Sequence, residues 1–161
     1  MSSLQTTKNR ADNPGMQLNE ICSVRLDQSL LGVPIRHILE IVGSACPQPV
    51  PLAPAFIGGI VHYRGDVLTA VSLRYLLGLP AVEKPQSILV LESSAGTFGL
   101  LVDSVDQVMN LSAADFEPNP STVNPQKKDL FAGTYKLNDR LLVMLNTEHL
   151  DPVRLAAVQA T

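Results

Sequence analysis

Apolar and polar residues alternate along most of the chain, in short runs that turn residues separate. Period two is the spacing at which side chains on a β-strand face the same side of a sheet. In the first half, runs rich in Val, Ile and Leu predict strands over residues 21–26, 30–35 and 38–42. In the second half, the same pattern predicts strands over residues 87–92 and 97–102.

The middle of the first half, FIGGIVHYRGDVLTAVSLRYLLGL (residues 56–79), is the most specific stretch. Two runs rich in β-branched residues flank Arg64-Gly65-Asp66, which predicts a β-hairpin with this turn at its tip. Ser72 is a good N-cap for a short helix, and Gly78 can end that helix in a left-handed conformation. The stretch therefore predicts a hairpin that leads directly into a two-turn helix.

The second half repeats the hydrophobic pattern of the first. A shift of 67 residues aligns Gly32 with Gly99, and a shift of 74 residues aligns Gly59 with Gly133. The seven-residue difference between the shifts falls in the proline-rich stretch 111–128, which is predicted to be an exposed loop. The pattern indicates an internal duplication of an all-β unit.

We therefore predict an all-β fold, in which two similar units of five short strands each curl into a small β-barrel. Short helices follow the hairpins. The expected organisation is a flexible tail over residues 1–18, a folded domain with two intertwined barrels over 19–151, and a C-terminal helix over 152–161.

The strand over residues 38–42 predicts an unusual surface. Alternation places Ile38, Glu40 and Val42 on one face, and Leu39 and Ile41 on the other. The repeated strand, with Val105, Gln107 and Met109 on one face, predicts a second apolar strip. Docking of a partner on these strips and burial of the strips between the two units are equally compatible with the pattern. If Leu39 and Ile41 are buried, replacing either by Ala costs about 2–5 kcal/mol.

Composition narrows the classes of function. Hydrophobic residues make up 45% of the chain and charged residues 17%, as in folded globular proteins. With a net charge of −3 and no Lys/Arg block, the sequence disfavours nucleic acid as a partner. No stretch is long and apolar enough for a membrane span, and residues 1–17 lack the apolar segment of a secretory signal. We therefore expect a cytoplasmic protein with no disulfide between Cys22 and Cys46.

Motifs typical of enzymes are absent from the sequence, and we predict no enzymatic activity, no cofactor and no metal site. His37, His62 and His149 lie in different predicted elements, so surface or turn positions fit them better than a shared metal site. A small enzyme that uses Cys22 or a histidine stays open as an alternative of a different class. Arg64 at the hairpin tip has Glu40 as its obvious partner within the chain.

Four ordered segments resemble the CheW family of bacterial chemotaxis coupling proteins. Residues 54–65 resemble the family's P-x-F-I-x-G-V-x-N-L-R-G, and residues 67–74 resemble the V-I-P-V-I-D-L-R that follows it. Residues 32–41 resemble G-x-x-I-x-x-V-x-E-I, and residues 99–108 resemble G-L-x-V-D-x-V-x-x-V. Residues 142–150 resemble the family's closing strand and E-x-L turn. The likeness extends from about residue 19 to residue 151.

The resemblance implies two five-stranded, SH3-like barrels on one core. It also implies a non-enzymatic adaptor that couples the cytoplasmic signalling tip of a methyl-accepting chemoreceptor to the regulatory domain of a CheA-type histidine kinase. We expect the free protein to be a monomer. By position in the family's motifs, the receptor-binding residues are Ile38, Glu40, Arg64, Val102, Val105 and Val108. The resemblance does not place the kinase-binding residues.

Two departures from the family pattern bear on the pathway. His62 stands where the family usually has Asn, and Ser72 stands where it usually has Asp. Asn and Asp beside a turn form local hydrogen bonds that His and Ser form differently. An adaptor of a paralogous pathway, such as one that governs type IV pilus twitching motility, is therefore the alternative.

Overall fold

A computed structural model describes residues 18–119 and 129–159. The predicted flexible tail, residues 1–18, lies outside the described residues except for Leu18. In the described part, the strands are β1 Leu18–Leu26, β2 Ser29–Pro34, β3 Ile38–Ala45, β4 Ile57–Tyr63, β5 Asp66–Ser72, β6 Gln86–Ser93, β7 Gly96–Val102, β8 Ser104–Ser112, β9 Phe116–Glu117, β10 Phe131–Lys136 and β11 Leu141–Leu145. The α-helices are α1 Leu73–Leu76 and α2 Pro152–Gln159, and three short 3-10 helices lie at Ile35–His37, Ala113–Asp115 and Thr147–Leu150. The predicted all-β class is confirmed.

Local signals act as expected around the first hairpin and its helix. The side chain of Ser72 accepts a hydrogen bond from the Tyr75 backbone N–H, and so caps α1. Gly78 ends the helix with a φ of +75°, in the left-handed region that glycine adopts without strain. At the start of α2, the Asp151 carboxylate accepts a hydrogen bond from the Val153 backbone N–H at 2.8 Å.

The strands form two sheets that exchange hairpins. The six-stranded sheet has the order β8-β1-β2-β11-β10-β9, and the five-stranded sheet has the order β3-β6-β7-β5-β4. The first hairpin of each repeat therefore lies in the sheet that contains the last strands of the other repeat. This exchange is symmetric, because β2 runs parallel to β11 and β7 runs parallel to β5.

The internal repeat is also visible in the close contacts of glycines. Gly32 pairs with Met144 across the β2–β11 ladder, and Gly99 pairs with Ala70 at the equivalent place of the β7–β5 ladder. Both alignments agree with the shifts read from the sequence. Gly59 and Gly133 also correspond, since each has a φ above +140° and a backbone carbonyl oxygen within 2.6 Å of the place where a Cβ would stand.

The core consists of three apolar clusters. The largest, here called the shared cluster, contains residues of both sheets, including Cys22, Val24, Leu89, Leu91 and Leu100. A smaller cluster with Ile21, Tyr135 and Met144 belongs to the six-stranded sheet, and another with Ile88, Val90 and Leu101 belongs to the five-stranded sheet. Each curled sheet thus has its own apolar interior, and the shared cluster joins the two.

A buried arginine also links the two sheets. Arg74, in α1, is 7% exposed, and its guanidinium donates two hydrogen bonds to Asp103 at the crossover from β7 to β8. It also donates to the Pro80 carbonyl at 3.0 Å and lies 3.6 Å from the Asp27 carboxylate in the β1–β2 turn. The Asp103 carboxylate thus joins α1 to the crossover, although its position next to a turn would suggest only a solvated side chain.

The predicted loop over residues 111–128 is wrong for its first part. Residues 111 and 112 continue β8, a 3-10 turn follows, and β9 pairs with β10 through Thr134 and Glu117. The equivalent in the first repeat is the isolated bridge between Gln48 and Ile60. Prolines and polar residues hid this strand, because a two-residue strand has no periodicity to detect. Residues 120–128 lie outside the described residues.

Candidate functional site

The tip of the β4–β5 hairpin has an unusual backbone. Arg64 has a φ of +50° and Gly65 a φ of +83°, and Tyr63 pairs with Asp66. Two residues with positive φ between paired strands are typical of a type I′ turn, in which Asn, Asp or Gly is preferred at both places. Arginine in the first place is uncommon, and strained backbone of this kind clusters at functional sites. The turn places Arg64 at the exposed tip of the hairpin.

Arg64 forms an ion pair with Glu40, as the sequence had predicted. Arg64 Nη2 donates to Glu40 Oε1 at 3.0 Å. Glu40 lies in β3 and Arg64 follows β4, and these strands are the two opposite edges of the five-stranded sheet. A hydrogen bond between them requires the sheet to curl until its edges approach. The ion pair therefore bridges the open side of the curled sheet.

Electrostatics favour the charged form of Arg64. The hydrogen bond to Glu40 is the main cause that raises the pKa of the guanidinium above its ordinary value. Its Cζ atom also lies 5.4 Å from the centre of the Tyr63 ring, within the range of a cation–π contact. The Arg64 side chain is 71% exposed, so it stays accessible to a partner while it is paired.

β-Bulges change the faces predicted for the two repeated strands. Ile38 pairs with Leu91 and Glu40 with Val90, so Leu39 is an extra residue in β3. Asp106 is the extra residue at the repeat position of β8, between Val105 and Gln107. A bulge reverses the alternation beyond it. The predicted strips Ile38-Glu40-Val42 and Val105-Gln107-Met109 are therefore wrong.

The faces that the bulges create are more apolar. Ile38 and Ile41 lie opposite Leu91 and Leu89, which belong to the shared cluster. In β8, Val105 and Val108 lie opposite Val24 and Cys22, which belong to the same cluster. Directly opposed residues share a face of the sheet. We call Ile38, Ile41, Val105 and Val108 the apolar rim, since they lie where the shared cluster reaches the edge strands of both sheets.

The apolar rim is partly open to solvent. Ile38 and Val105 are half-buried and pack against the shared cluster, whereas Ile41 is 42% exposed and Val108 is 52% exposed. Leu39 is also exposed, at 46%. The inner residues are thus partly buried, as one of the two alternatives left open by the pattern requires, and the outer residues leave apolar surface exposed.

The structure brings some of the predicted receptor-binding residues together and separates one from the surface. Ile38 and Glu40 lie in β3, with Arg64 bound to Glu40, and Val105 and Val108 lie in the equivalent strand. Val102 has no exposed surface at all, because it packs into the shared cluster at the end of β7. Val102 can support this region from below but offers no atoms to a partner.

The alternative of a small enzyme gains no support from the geometry of its candidate residues. Cys22 is fully buried in β1, and burial raises the pKa of its thiol, which is the opposite of what a nucleophilic thiolate needs. His37 Nδ1 lies 2.9 Å from the Thr147 hydroxyl, and burial lowers the pKa of that imidazole. His62 and His149 lie in other elements, β4 and the Thr147–Leu150 turn.

Two features of this region escaped sequence reasoning. The pair of Arg74 and Asp103 joins residues 29 apart in the chain, and no local pattern connects them. Ile41 was assigned to the opposite face of β3, because nothing in a single sequence distinguishes a bulged strand from a regular one. Leu39 and the extra residue Asp106 occupy equivalent positions in the two repeats, but neither residue marks a bulge in the sequence.

Among the described residues, no helix is long and apolar enough to cross a membrane, and no group of three or more His, Cys, Asp or Glu residues could hold a metal ion.

Comparisons with known proteins agree on one family. The model of the CheW-like domain matches residues 20–152. A chemotaxis protein CheW of Helicobacter pylori is 32% identical over 120 residues, which cover 73% of this chain and 72% of the relative. The protein FrzA of Myxococcus xanthus is 30% identical over 103 residues, 63% of this chain and 64% of the relative. The scaffolding protein TtCheW of Thermoanaerobacter tengcongensis has a similar crystal structure, with a TM-score of 0.76 and 25% identity over 83% of this chain and 92% of that chain.

Proposed function

The chain belongs to the family of CheW-like domains, and on that premise we propose that it is a non-enzymatic adaptor of chemotaxis signalling. It couples the cytoplasmic signalling tip of a methyl-accepting chemoreceptor to the regulatory domain of a CheA-type histidine kinase. Such an adaptor acts in the cytoplasm, where both of these surfaces lie, and is a monomer when free. Its work consists of binding two partners at once, and no chemical step is required of it.

The single observation that carries this proposal is the combination of the apolar rim with the ion pair beside it. Ile41 and Val108 expose apolar surface where the shared cluster ends, and Glu40, the neighbour of Ile41 on the opposite face of the same edge strand, binds Arg64. An apolar centre with charged groups at its edge is the usual composition of a protein–protein interface. The apolar face of a helix can lie along the apolar rim, with the charged groups fixing its direction.

We assign receptor docking to Ile38, Glu40, Arg64, Val105 and Val108, and we add Ile41 to this set. Val102 supports the set from the core. The two edge strands contribute equivalent apolar residues, whereas the ion pair belongs to the first repeat alone: the residues that follow β10 at the second hairpin tip include Asn138 and Asp139 instead of an Arg-Gly turn. We infer that the first repeat determines the direction in which a receptor helix lies along the apolar rim.

The experiment that tests the adaptor is a sedimentation assay with three purified components: this chain, membranes or nanodiscs with a chemoreceptor, and the kinase. We expect receptor and kinase to cosediment only when this chain is present, and the kinase to phosphorylate itself faster in the ternary complex. Failure of the chain to bind either partner would overturn the proposal. Binding of the kinase alone would also overturn the adaptor role, and would show that the receptor assignment is the part that fails.

A second candidate is the same adaptor role in a paralogous pathway, such as one that governs surface motility by type IV pili. The similarity to FrzA favours it, as do His62 and Ser72 at places where the family usually has Asn and Asp. A deletion strain distinguishes the two. Loss of directed swimming with normal surface spreading indicates the flagellar pathway, and the reverse indicates the paralogous pathway.

A further inference from the structure

A cavity of about 300 Å³ opens into the interior of the six-stranded sheet, and none of its lining residues belongs to the apolar rim. Its floor is apolar, formed by Ile21, Met144 and Phe116 from the interior of this sheet. Polar side chains of Arg36, Tyr135 and other residues stand around the apolar floor. An apolar pocket with a few converging polar groups, at the mouth of a curled sheet, is the usual form of a small-ligand site.

The polar lining has hydrogen-bond donors to spare. Tyr135 is 4% exposed, and its phenolic oxygen accepts a hydrogen bond from Asn19 Nδ2 at 3.0 Å, so its own O–H is left for another acceptor. His37 uses Nδ1 in its contact with Thr147, so its Nε2 is left for another hydrogen-bond partner. In the part of the chain that the structure describes, Arg36 has no carboxylate within ion-pair distance. The lining contains no Asp or Glu.

The internal repeat provides a comparison within the same molecule. A second cavity, of about 310 Å³, lies at the equivalent place in the five-stranded sheet. Its lining residues Gly58, Ser72, Gln86 and Leu101 correspond to Ala132, Asn146, Asn19 and Pro34 of the first cavity. Arg74 also lines this second cavity, but its charge is compensated within the chain by Asp103.

Around the first cavity, the positive and negative residues of this pair occupy each other's repeat positions. Arg36 stands at the repeat position of Asp103, and Glu148 stands at the repeat position of Arg74. These two residues do not pair with each other: Glu148 instead accepts hydrogen bonds from the Ser94 backbone N–H at 2.9 Å and from the Ser94 hydroxyl at 2.6 Å. Arg36 is therefore a cation beside the cavity whose partner by repeat position, Glu148, is bound to Ser94 instead.

We propose that this cavity binds a carboxylate attached to an aromatic or branched apolar group. The carboxylate accepts hydrogen bonds from Arg36, with the Tyr135 hydroxyl as a second donor, and the apolar group lies over Met144 and Phe116. A charge-assisted pair with arginine gives the direction, and the apolar floor gives affinity. A free organic acid and the C-terminal residue of a peptide both carry this chemistry.

The test is a titration followed by the backbone amide signals of the isotope-labelled full chain. Phenylacetate is the free acid, and phenylacetamide is its uncharged control. A short peptide that ends in Phe is used with a free and with an amidated C-terminus. We expect saturable shifts at His37, Asn146 and Thr147 with the acids and at least tenfold weaker binding of the amides. Saturation with the peptide alone assigns the site to a peptide terminus, and saturation with phenylacetate assigns it to a free acid.

Variants distinguish the contribution of Arg36 from the effect of positive surface charge in general. Arg36→Gln weakens binding of the acid by about tenfold, because a hydrogen bond to a charged group is lost. Arg36→Lys keeps part of the affinity, and Arg140→Gln, an exposed arginine outside the cavity, keeps all of it. The proposal is overturned if no acid saturates these signals, if acid and amide bind equally, or if Arg36→Gln binds as well as the wild type.

Discussion

The guanidinium of Arg74 and the carboxylate of Asp103 form two parallel hydrogen bonds, from Nε to Oδ1 at 2.8 Å and from Nη2 to Oδ2 at 2.7 Å. Bidentate pairs of this kind are the strongest ion pairs in proteins, and this one is largely buried. Asp103 Oδ2 also accepts a hydrogen bond from the Asp27 backbone N–H. One carboxylate thus holds together α1, the β1–β2 turn and the crossover that leads to β8.

Removing this charge should destabilise the fold. Asp103→Asn removes the negative charge and replaces one of the two oxygens that accept from the buried Arg74 guanidinium by an amide donor, and we expect the free energy of unfolding in urea at pH 7 to fall by about 2–3 kcal/mol. Asp106→Asn is the matched control, because Asp106 has only a 3.3 Å hydrogen bond and a 3.6 Å ion pair. It should cost less than about 1 kcal/mol. Equal losses in the two variants would show that the pair has no special role.

The same pair should make stability depend on acidity. Hydrogen bonds from Arg74 hold the pKa of Asp103 below its ordinary value. A carboxyl group whose pKa is lowered by folding stabilises the protein above its unfolded-state pKa of about 4, and this contribution is lost as the pH falls through the folded-state pKa. Below about pH 4, the free energy of unfolding should therefore fall more steeply for the wild type than for Asp103→Asn. Parallel curves would contradict this assignment.

The ion pair at the hairpin tip should matter for binding more than for stability. Arg64→Ala and Glu40→Lys should each raise the dissociation constant for a receptor signalling fragment by about tenfold. Kinase binding and the midpoint of thermal unfolding should stay close to wild type. Calorimetric titration measures both affinities. Arg140→Ala, beside the hairpin tip of the second repeat, is the control and should bind the receptor normally. If it weakens binding as much, the effect is general charge rather than this site.

Ile41 and its cross-strand neighbour Leu89 should respond in opposite ways. Ile41 is 42% exposed, so Ile41→Ala should cost less than about 1 kcal/mol of stability while weakening receptor binding. Leu89 is fully buried, and Leu89→Ala should cost about 2–5 kcal/mol. Urea denaturation and receptor titration of both variants measure the two effects. A large loss of stability in Ile41→Ala would mean that the rim is part of the core.

Gly59 and Gly96 have similar positive φ angles, but replacing each by alanine should cost different amounts of stability. Gly59 has a φ of +143° and Gly96 a φ of +135°, so both conformations are strained for alanine. At Gly59 a Cβ would stand 2.6 Å from the Gln48 carbonyl oxygen, whereas at Gly96 no atom lies within 4 Å. Gly59→Ala should therefore lose about 1–3 kcal/mol more stability than Gly96→Ala in parallel urea denaturation. Equal losses would assign the cost to backbone strain alone.

The sequence predicted much of this structure because its signals are local or repeated. The Ser72 cap, the Gly78 terminus and the paired positions of Gly32 and Gly99 all follow from spacing along the chain. Glu40 was also named as the candidate partner of Arg64, since a guanidinium at a hairpin tip can bind a carboxylate of a neighbouring segment.

The features that were missed depend on geometry that spacing does not encode. A bulge at Leu39 moves Glu40, Ile41 and Val42 to the faces opposite to those that regular alternation from Ile38 would give, and one inserted residue leaves no mark on hydrophobicity. The exchange of hairpins between the sheets, and with it the pair of Arg74 and Asp103, depends on contacts between distant segments. Val102 was assigned to the receptor-binding residues by its position in a motif, and only its packing shows that it is buried.

The exchange of hairpins has a consequence for how the protein is made. β2 has its parallel neighbour in β11, more than a hundred residues later, so the first hairpin cannot complete its sheet until residues 141–145 have left the ribosome. Topologies dominated by such distant pairings fold slowly, because long loops must close before their contacts form. Neither repeat can therefore act as a folding unit by itself, because each sheet requires strands from both repeats.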